Sequence, residues 1–241
     1  MTFLNQAALV TGASRGLGAA LGRELARAGA RVVLVARQRE PLEALARELR
    51  AEGGDVHALA ADMGDKLAIH PLAAAAAELV GPIDVLVHNA SSLGPTPLRL
   101  LLDTECEDLE RVLAVNLIGP FRLSRIVAGS MAARGTGTIV HVSSDAAVNA
   151  YPRWGAYSVA KAAQDHLSRL WAEELAALGV RVLSIDPGEM DTEMHAAAVP
   201  DADRAALADP REIAARIAGI VLDPRVGSGT RVEAARWRAG S

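Results

Sequence analysis

Tyr157 and Lys161 have the types and spacing of an acid–base pair: they stand four positions apart in a stretch, 156–177, whose alanine, leucine, arginine and glutamate content predicts a helix. On a helix that spacing puts both side chains on one face. A free phenol ionises near pH ~10 and is a poor proton carrier at neutrality, but a nearby ammonium favours its ionised form. Of the 25 basic residues all but Lys66 and Lys161 are arginine. Three rotatable donors on an ammonium suit ribose hydroxyls better than a forked guanidinium does, which gives the retained lysine a chemical reason. Ser143 and Ser144 follow the apolar run 138–142, so a hydroxyl at that strand end can bond a substrate oxygen. Taken alone, the pair also fits an ordinary helix surface, and the serines an ordinary turn.

A second group could hold an anion. The run 7–10 leads through Thr11-Gly12-Ala13-Ser14-Arg15-Gly16-Leu17-Gly18 into an amphipathic stretch. Glycines at 12, 16 and 18 permit a tight turn, a close backbone approach to phosphate and close helix packing, and a helix start supplies free N–H groups. A pyrophosphate site is expected there, and with it a dinucleotide. NAD-preferring sites usually carry an acid about 20 residues further on, at the end of the second strand. Here the chain has Val35-Ala36-Arg37 instead. With Arg15 inside the loop, two arginines suit a ribose 2′-phosphate, so the expected cofactor is NADP(H).

The elements that would position these groups alternate. Apolar, β-branched runs at 7–10, 32–36, 56–60, 83–87, 138–142 and 180–185 have the length of strands buried on both faces. Helical stretches at 18–28, 41–52, 71–79 and 156–177 separate them, with Pro41 and Pro71 near two starts and Gly29, Gly53, Gly81 and Gly179 at the stops. Such alternation predicts a single-domain α/β fold of the Rossmann-like type: a doubly wound parallel sheet of about seven strands with helices on both faces. The segment 187–210 shows no strand pattern and is long for a connection, so it is expected to cover a substrate site.

Composition narrows the partners. A net charge of −4 supplies no general field for nucleic acid or an anionic membrane. The apolar stretches look broken by charge before the ~18 residues that a span needs, and residues 1–10 lack a signal-peptide pattern. The single Cys106, in an acidic setting, fits a reducing cytoplasm and not catalysis. The six histidines are scattered without ligand spacing, so no metal is expected.

With these motifs in place, the chain resembles a short-chain dehydrogenase/reductase over nearly its full length. Thr11 to Gly18 matches that family's TGxxxGxG loop, His88-Asn89-Ala90 its NNAG element in altered form, and Asn116 the asparagine of its central helix. Ser144, Tyr157 and Lys161 match its serine and YxxxK motif, about 13 residues separating serine from tyrosine, and Pro187-Gly188 with Thr192 matches its PG element. The resemblance implies that Tyr157 exchanges the proton and Ser144 orients the carbonyl oxygen. It further implies that Lys161 binds the nicotinamide ribose and lowers the phenol pKa, and that Asn116 holds a water linking Lys161 to solvent. Gly12, Ser14, Arg15, Gly16, Leu17, Gly18, Arg37, Asn89, Ala90, Pro187 and Gly188 would line the cofactor, Asp62 and Met63 its adenine, and Thr192 its amide. A homodimer through 116–134 and 156–177, with Trp171 a candidate contact, or a homotetramer would follow.

The match thins at Ser91 and Ser92, where the family has glycine, and at the C-terminus, where Ser228 to Glu233 leaves room for only a short seventh strand before a basic tail. His88 and His141 fit packed structural residues. Leu93, Tyr151, Trp154, Met190 and Met194 would form an apolar and aromatic pocket for a ketone or aldehyde, while Glu189 fits a solvated loop carboxylate. An NADPH-dependent carbonyl reductase, reversible as an alcohol dehydrogenase, is the leading expectation. Reduction of 3-oxoacyl thioesters is an alternative, as is a non-catalytic NADP(H) sensor, although a sensor has no need of the Ser144, Tyr157 and Lys161 set.

Overall fold

The computed structural model describes residues 2–238. Seven strands form one sheet: β1 (Ala7–Thr11), β2 (Arg31–Ala36), β3 (Val56–Ala60), β4 (Val85–His88), β5 (Gly137–Val142), β6 (Val180–Asp186) and β7 (Arg231–Glu233). Their order is β3-β2-β1-β4-β5-β6-β7, and every pairing is parallel. The short last strand is present. The last three residues of the basic tail lie outside the described residues.

Helices α1 (Gly16–Arg27), α2 (Arg39–Ala51), α3 (Ile69–Val80), α4 (Cys106–Leu113), α5 (Gly119–Arg134), α6 (Gly155–Leu175), α7 (Glu193–Ala198) and α8 (Pro210–Leu222) connect or follow the strands. Successive strand residues point to opposite faces, so the β-branched runs feed two cores at once. Ala8, Val10, Val32 and Leu34 pack with α1, α2 and α8. Their neighbours Ala7, Leu9, Val33 and Val35 pack with α3, α5 and α6.

Helix α8 lies outside the sequence expectations, although Asp209 caps it by accepting the Arg211 N–H and Pro210 opens its first turn. Its buried Ile213, Ala214, Ile217, Ala218 and Val221 repeat at helical spacing. Residues 187–210 also hold more structure than expected. They form α7, a 3-10 turn at Arg204–Ala206 and a parallel bridge between Met190 and Ala208 that closes the excursion on itself.

The central helix corrects one expectation. Residues Cys106–Arg134 run as one helical unit, long and apolar enough by length and composition to cross a bilayer, an 18-residue stretch of it reaching a mean hydropathy of 1.3. In the fold this unit packs against α3 and α6. Its five-residue π-helical turn, Ala114–Ile118, buries Asn116 completely, and such turns re-aim a side chain within an otherwise regular helix.

Candidate active site

The strand order reverses between β1 and β4, and the carboxyl ends of strands at such a point flank a ligand crevice. The crevice here has a volume of about 740 Å³. On one side lies the glycine loop: Gly12, Ser14, Arg15, Gly16, Leu17 and Gly18 all line it. The Arg15 side chain makes no capping bond, so the first N–H groups of α1 stay available to an anion. A Cβ at Gly12 would come within 2.7 Å of Ala90 Cα, and one at Gly18 would run into Gly12 O and Asn89 Nδ2. The glycines are therefore required by backbone proximity, and the cradle they leave fits a pyrophosphate.

Thr11 and Asn89 lock the two strand ends together. Thr11 Oγ1 accepts the Asn89 and Ala90 N–H groups at 3.1 and 3.0 Å, and Asn89 Nδ2 donates to Thr11 O at 3.0 Å and Gly12 O at 3.1 Å. Asn89 thus holds the loop by its side chain. Thr11 opens the TGxxxGxG match, and the part its hydroxyl plays in joining the two strand ends is visible only in the fold.

Tyr157 and Lys161 share one face of α6 and line the crevice together, the Lys161 ammonium 5.6 Å from the centre of the phenol ring. Ser144 Oγ lies on the Tyr157 side, where it accepts the Ala146 N–H at 3.2 Å and donates to Asp145 Oδ1 at 3.1 Å. The electrostatics differ from the expectation. Burial pushes the Tyr157 phenol up to about 12, and the Ser144 and Ser91 hydroxyls pull it only partly back. Burial likewise holds the Lys161 ammonium down to about 8, against Asp165 and Asp186, which favour its charge. Lys161 Nζ donates to Val142 O at 2.6 Å and to Gln164 Oε1 at 3.3 Å, bonds that hold the buried ammonium in place behind the phenol.

Asn116 and Gln164 are buried amides that tie the central helix to α6 and to the segment after β4. Asn116 Oδ1 accepts the Ser92 N–H at 2.8 Å and its Nδ2 donates to Ser92 O at 2.9 Å, clamping the segment after β4. Its own carbonyl accepts from Gln164 Nε2 at 2.9 Å. A buried amide therefore joins Asn116 to Lys161. The clamp also fixes Ser91, whose Oγ lines the crevice side, buried and without a hydrogen bond of ordinary geometry.

At the far end, Val35, Ala36, Arg37, Asp62 and Met63 line the crevice. Arg15 pairs with Glu193 at the start of α7, tying the glycine loop to the segment 187–210. Of the predicted contacts in that segment, Pro187 and Thr192 line the crevice, whereas Gly188 is engaged below it, donating to Asp186 Oδ1 at 2.9 Å. Thr192 caps α7 by accepting the His195 N–H.

The aromatic part of the pocket is smaller than expected. Leu93, Met190 and Met194 line the crevice, but Tyr151 and Trp154 do not. Tyr151 turns outward to donate to Asp145 Oδ2 at 2.7 Å, and Trp154 packs edge-on against the Tyr157 ring at 5.7 Å. Both precede α6 in the turn that leads into it, where the Trp154 N–H donates to Tyr151 O at 3.2 Å. Glu189 is 75% exposed. His88 and His141 stack at 4.9 Å in the interior, each bonded to a serine of a packed helix, and burial holds His141 down to about 3. Trp171 stacks on Phe121 at 5.9 Å within the α5–α6 core.

Comparison with known proteins agrees with this geometry. The chain is 35% identical over 225 residues to a 3-oxoacyl-[acyl-carrier-protein] reductase of Synechocystis, covering 91% of this chain and 90% of the relative. It also matches the glycine betaine reductase ATRR of Emericella nidulans at 36% over 187 residues, of whose length it spans 14%. Among solved structures, a metagenomic short-chain oxidoreductase in complex with NADP superposes with a TM-score of 0.82 at 33% identity, covering 95% of this chain and 96% of the other. An NAD+-bound xylitol dehydrogenase does so with a TM-score of 0.87 at 26% identity, covering 97% and 98%. The family model for short chain dehydrogenases matches residues 6–203. With loop, crevice and paired tyrosine and lysine on one rim of the sheet, the chain is a member of the short chain dehydrogenase family.

Proposed function

We propose that this protein is an NADP(H)-dependent oxidoreductase acting on a carbonyl and its secondary alcohol. The observation that carries the reading is the placing of Tyr157 and Lys161 on the wall of the crevice that the glycine loop opens. A nicotinamide dinucleotide supplies or accepts the hydride. The chain's own residues do the rest. The Tyr157 hydroxyl gives its proton to the carbonyl oxygen in reduction and takes one in oxidation, Ser144 orients that oxygen, and Lys161 holds ribose hydroxyls. With a phenol pushed up to about 12, the neutral acid is the resident form at pH 7, which favours reduction. Oxidation needs the phenolate, so its rate is expected to climb with pH across the alkaline range, while reduction does not. The direct test follows NADPH absorbance with ketones, aldehydes and acyl thioesters; no turnover with any of them overturns the proposal. Thioester reduction is the second reading, favoured by the near full-length match to the 3-oxoacyl reductase.

The preference for NADP(H) rests on Arg15 and Arg37 beside a strand end without an acid. The double change Arg15→Ala, Arg37→Ala is expected to weaken NADPH binding by about 10²-fold, two charge-assisted contacts to a phosphate being lost, and to leave NADH binding nearly unchanged. An unchanged ratio of the two affinities sinks the assignment. A homodimer through α5 and α6 belongs to the same reading, since Ile118, Val159 and Leu170 present exposed apolar side chains on or beside those helices.

A further inference from the structure

β7 is the shortest strand and lies at the sheet edge, yet its first residue reaches beneath the candidate active site. Arg231 Nε donates to Asp165 Oδ2 at 3.1 Å, and its Nη2 donates to Asp186 Oδ2 and to the main-chain carbonyl of Ser144, both at 2.9 Å. Each acceptor belongs to a different part of the site. Ser144 carries the hydroxyl beside Tyr157. Asp165 stands one turn beyond Lys161 on α6 and also accepts from Ser143 Oγ at 2.8 Å and from Ser184 Oγ. Asp186 ends β6 and accepts the Gly188 N–H, fixing the turn from which the covering segment departs. A planar guanidinium spans three such acceptors; a point-charge ammonium does not.

The charges agree with the geometry. Tyr157 is faced by Asp186 from β6, by Asp145 after β5 and by Lys161 of its own helix. Lys161 is faced by Asp165 and Asp186, with His141 and His88 on the sheet beneath it. Arg231 is the cation bonded to both Asp165 and Asp186, and the two carboxylate side chains are only 11% and 8% exposed. Left without that cation, Asp186 would oppose a phenolate at Tyr157 more strongly.

We propose that Arg231 is a positioning residue of the catalytic centre: from the last strand it fixes the Ser144 main chain, the root of the covering segment and helix α6, and it screens Tyr157 and Lys161 from Asp165 and Asp186. This rests on the oxidoreductase reading above. Arg231 touches no reacting atom.

The test compares Arg231→Met and Arg231→Lys with the parent, each also in a Tyr151→Phe background. Because the chain has two tyrosines, that background leaves Tyr157 as the sole phenol, and its ionisation can be followed by tyrosinate absorbance without any turnover. Arg231→Met is expected to lower kcat at least tenfold, to move the alkaline rise of alcohol oxidation up by about one pH unit, and to reduce the tyrosinate signal at each alkaline pH. Arg231→Lys is expected to restore the pH dependence and not the rate, since it returns the charge without the fork. A rate loss with an unmoved pH profile and unmoved tyrosinate titration overturns the proposal, because loss of packing alone produces that result. Should Arg231→Met fail to fold, Arg231→Gln takes its place on the same readouts: an alkaline rise moved up with a reduced tyrosinate signal supports the proposal, and an unmoved profile with an unmoved titration overturns it. A parent inert with every carbonyl tested overturns the oxidoreductase reading instead, and the tyrosinate titration still reports whether Arg231 screens Tyr157.

Discussion

Tyr157→Phe is expected to lower kcat for carbonyl reduction by about 10³-fold, within the range that a positioned general acid contributes, and to leave NADPH affinity within about twofold of the parent. The substitution removes one oxygen and keeps the ring. Its edge contact with Trp154 at 5.7 Å and its place over the Lys161 ammonium remain, so the crevice wall keeps its shape. The hydroxyl is neighboured by those of Ser144 and Ser91 and by no charged hydrogen-bond partner, so folding stability should change little. Equal falls in kcat and kcat/KM would place the loss in the chemical step, as the proton-donor role requires. Steady-state kinetics with NADPH and any accepted ketone, beside a fluorescence titration of NADPH binding, gives both numbers. A variant that keeps more than about a tenth of parental turnover removes Tyr157 from the role, because ordinary positioning effects reach that size without any proton transfer.

The parts of the site legible in the sequence are those encoded by short spacing. Tyr157 and Lys161 lie one turn apart, so their common face needs only the helix. Gly12, Gly16 and Gly18 mark the loop because a side chain at Gly12 or Gly18 would meet Ala90 or Asn89, a constraint the glycine pattern records directly. The alternation of apolar runs and helical stretches gives the sheet, since strands buried on both faces occur chiefly where helices cover a parallel sheet on each side. What escaped depends on contacts between distant segments. Gln164 reads as an unremarkable helix residue until α6 packs on the π-helical turn and its amide bridges Asn116 O and Lys161 Nζ. Asn116 is identifiable by its place in a motif, but the turn that aims it at Ser92 has no spacing of its own. The phenol's upward shift escaped for the same reason. Sequence supplies the spacing of Tyr157 and Lys161, whereas burial, the largest cause of the shift, is a property of the whole crevice.

Lys161→Met should separate function from stability. Lys161 is almost wholly buried, and its ammonium is held down to about 8 from the ordinary 10.5, so keeping it charged inside the protein opposes folding. The sign follows from proton counts. Between pH 8 and 10.5 the unfolded chain binds the Lys161 proton more fully than the folded one, so stability rises with pH across that window. Below it both states carry the proton, and the full penalty, about 3 kcal/mol from a shift of that size, weighs on the native state. Methionine fills a similar volume without the charge, but it leaves Val142 O and Gln164 Oε1 without their donor, at about 1 kcal/mol each. The cofactor-free variant is therefore expected to exceed the parent by about 1 kcal/mol at pH 7, and to fall below it near pH 10, where the parent has shed its proton and kept its packing. Turnover should drop by about 10²-fold or more, with NADPH binding weakened as well, because the ammonium is the group on α6 able to hold a ribose. Urea unfolding at the two pH values checks the crossing. A variant less stable than the parent at both, by the same margin, would mean that Lys161 contributes through its packing and hydrogen bonds and that its buried charge costs the fold nothing.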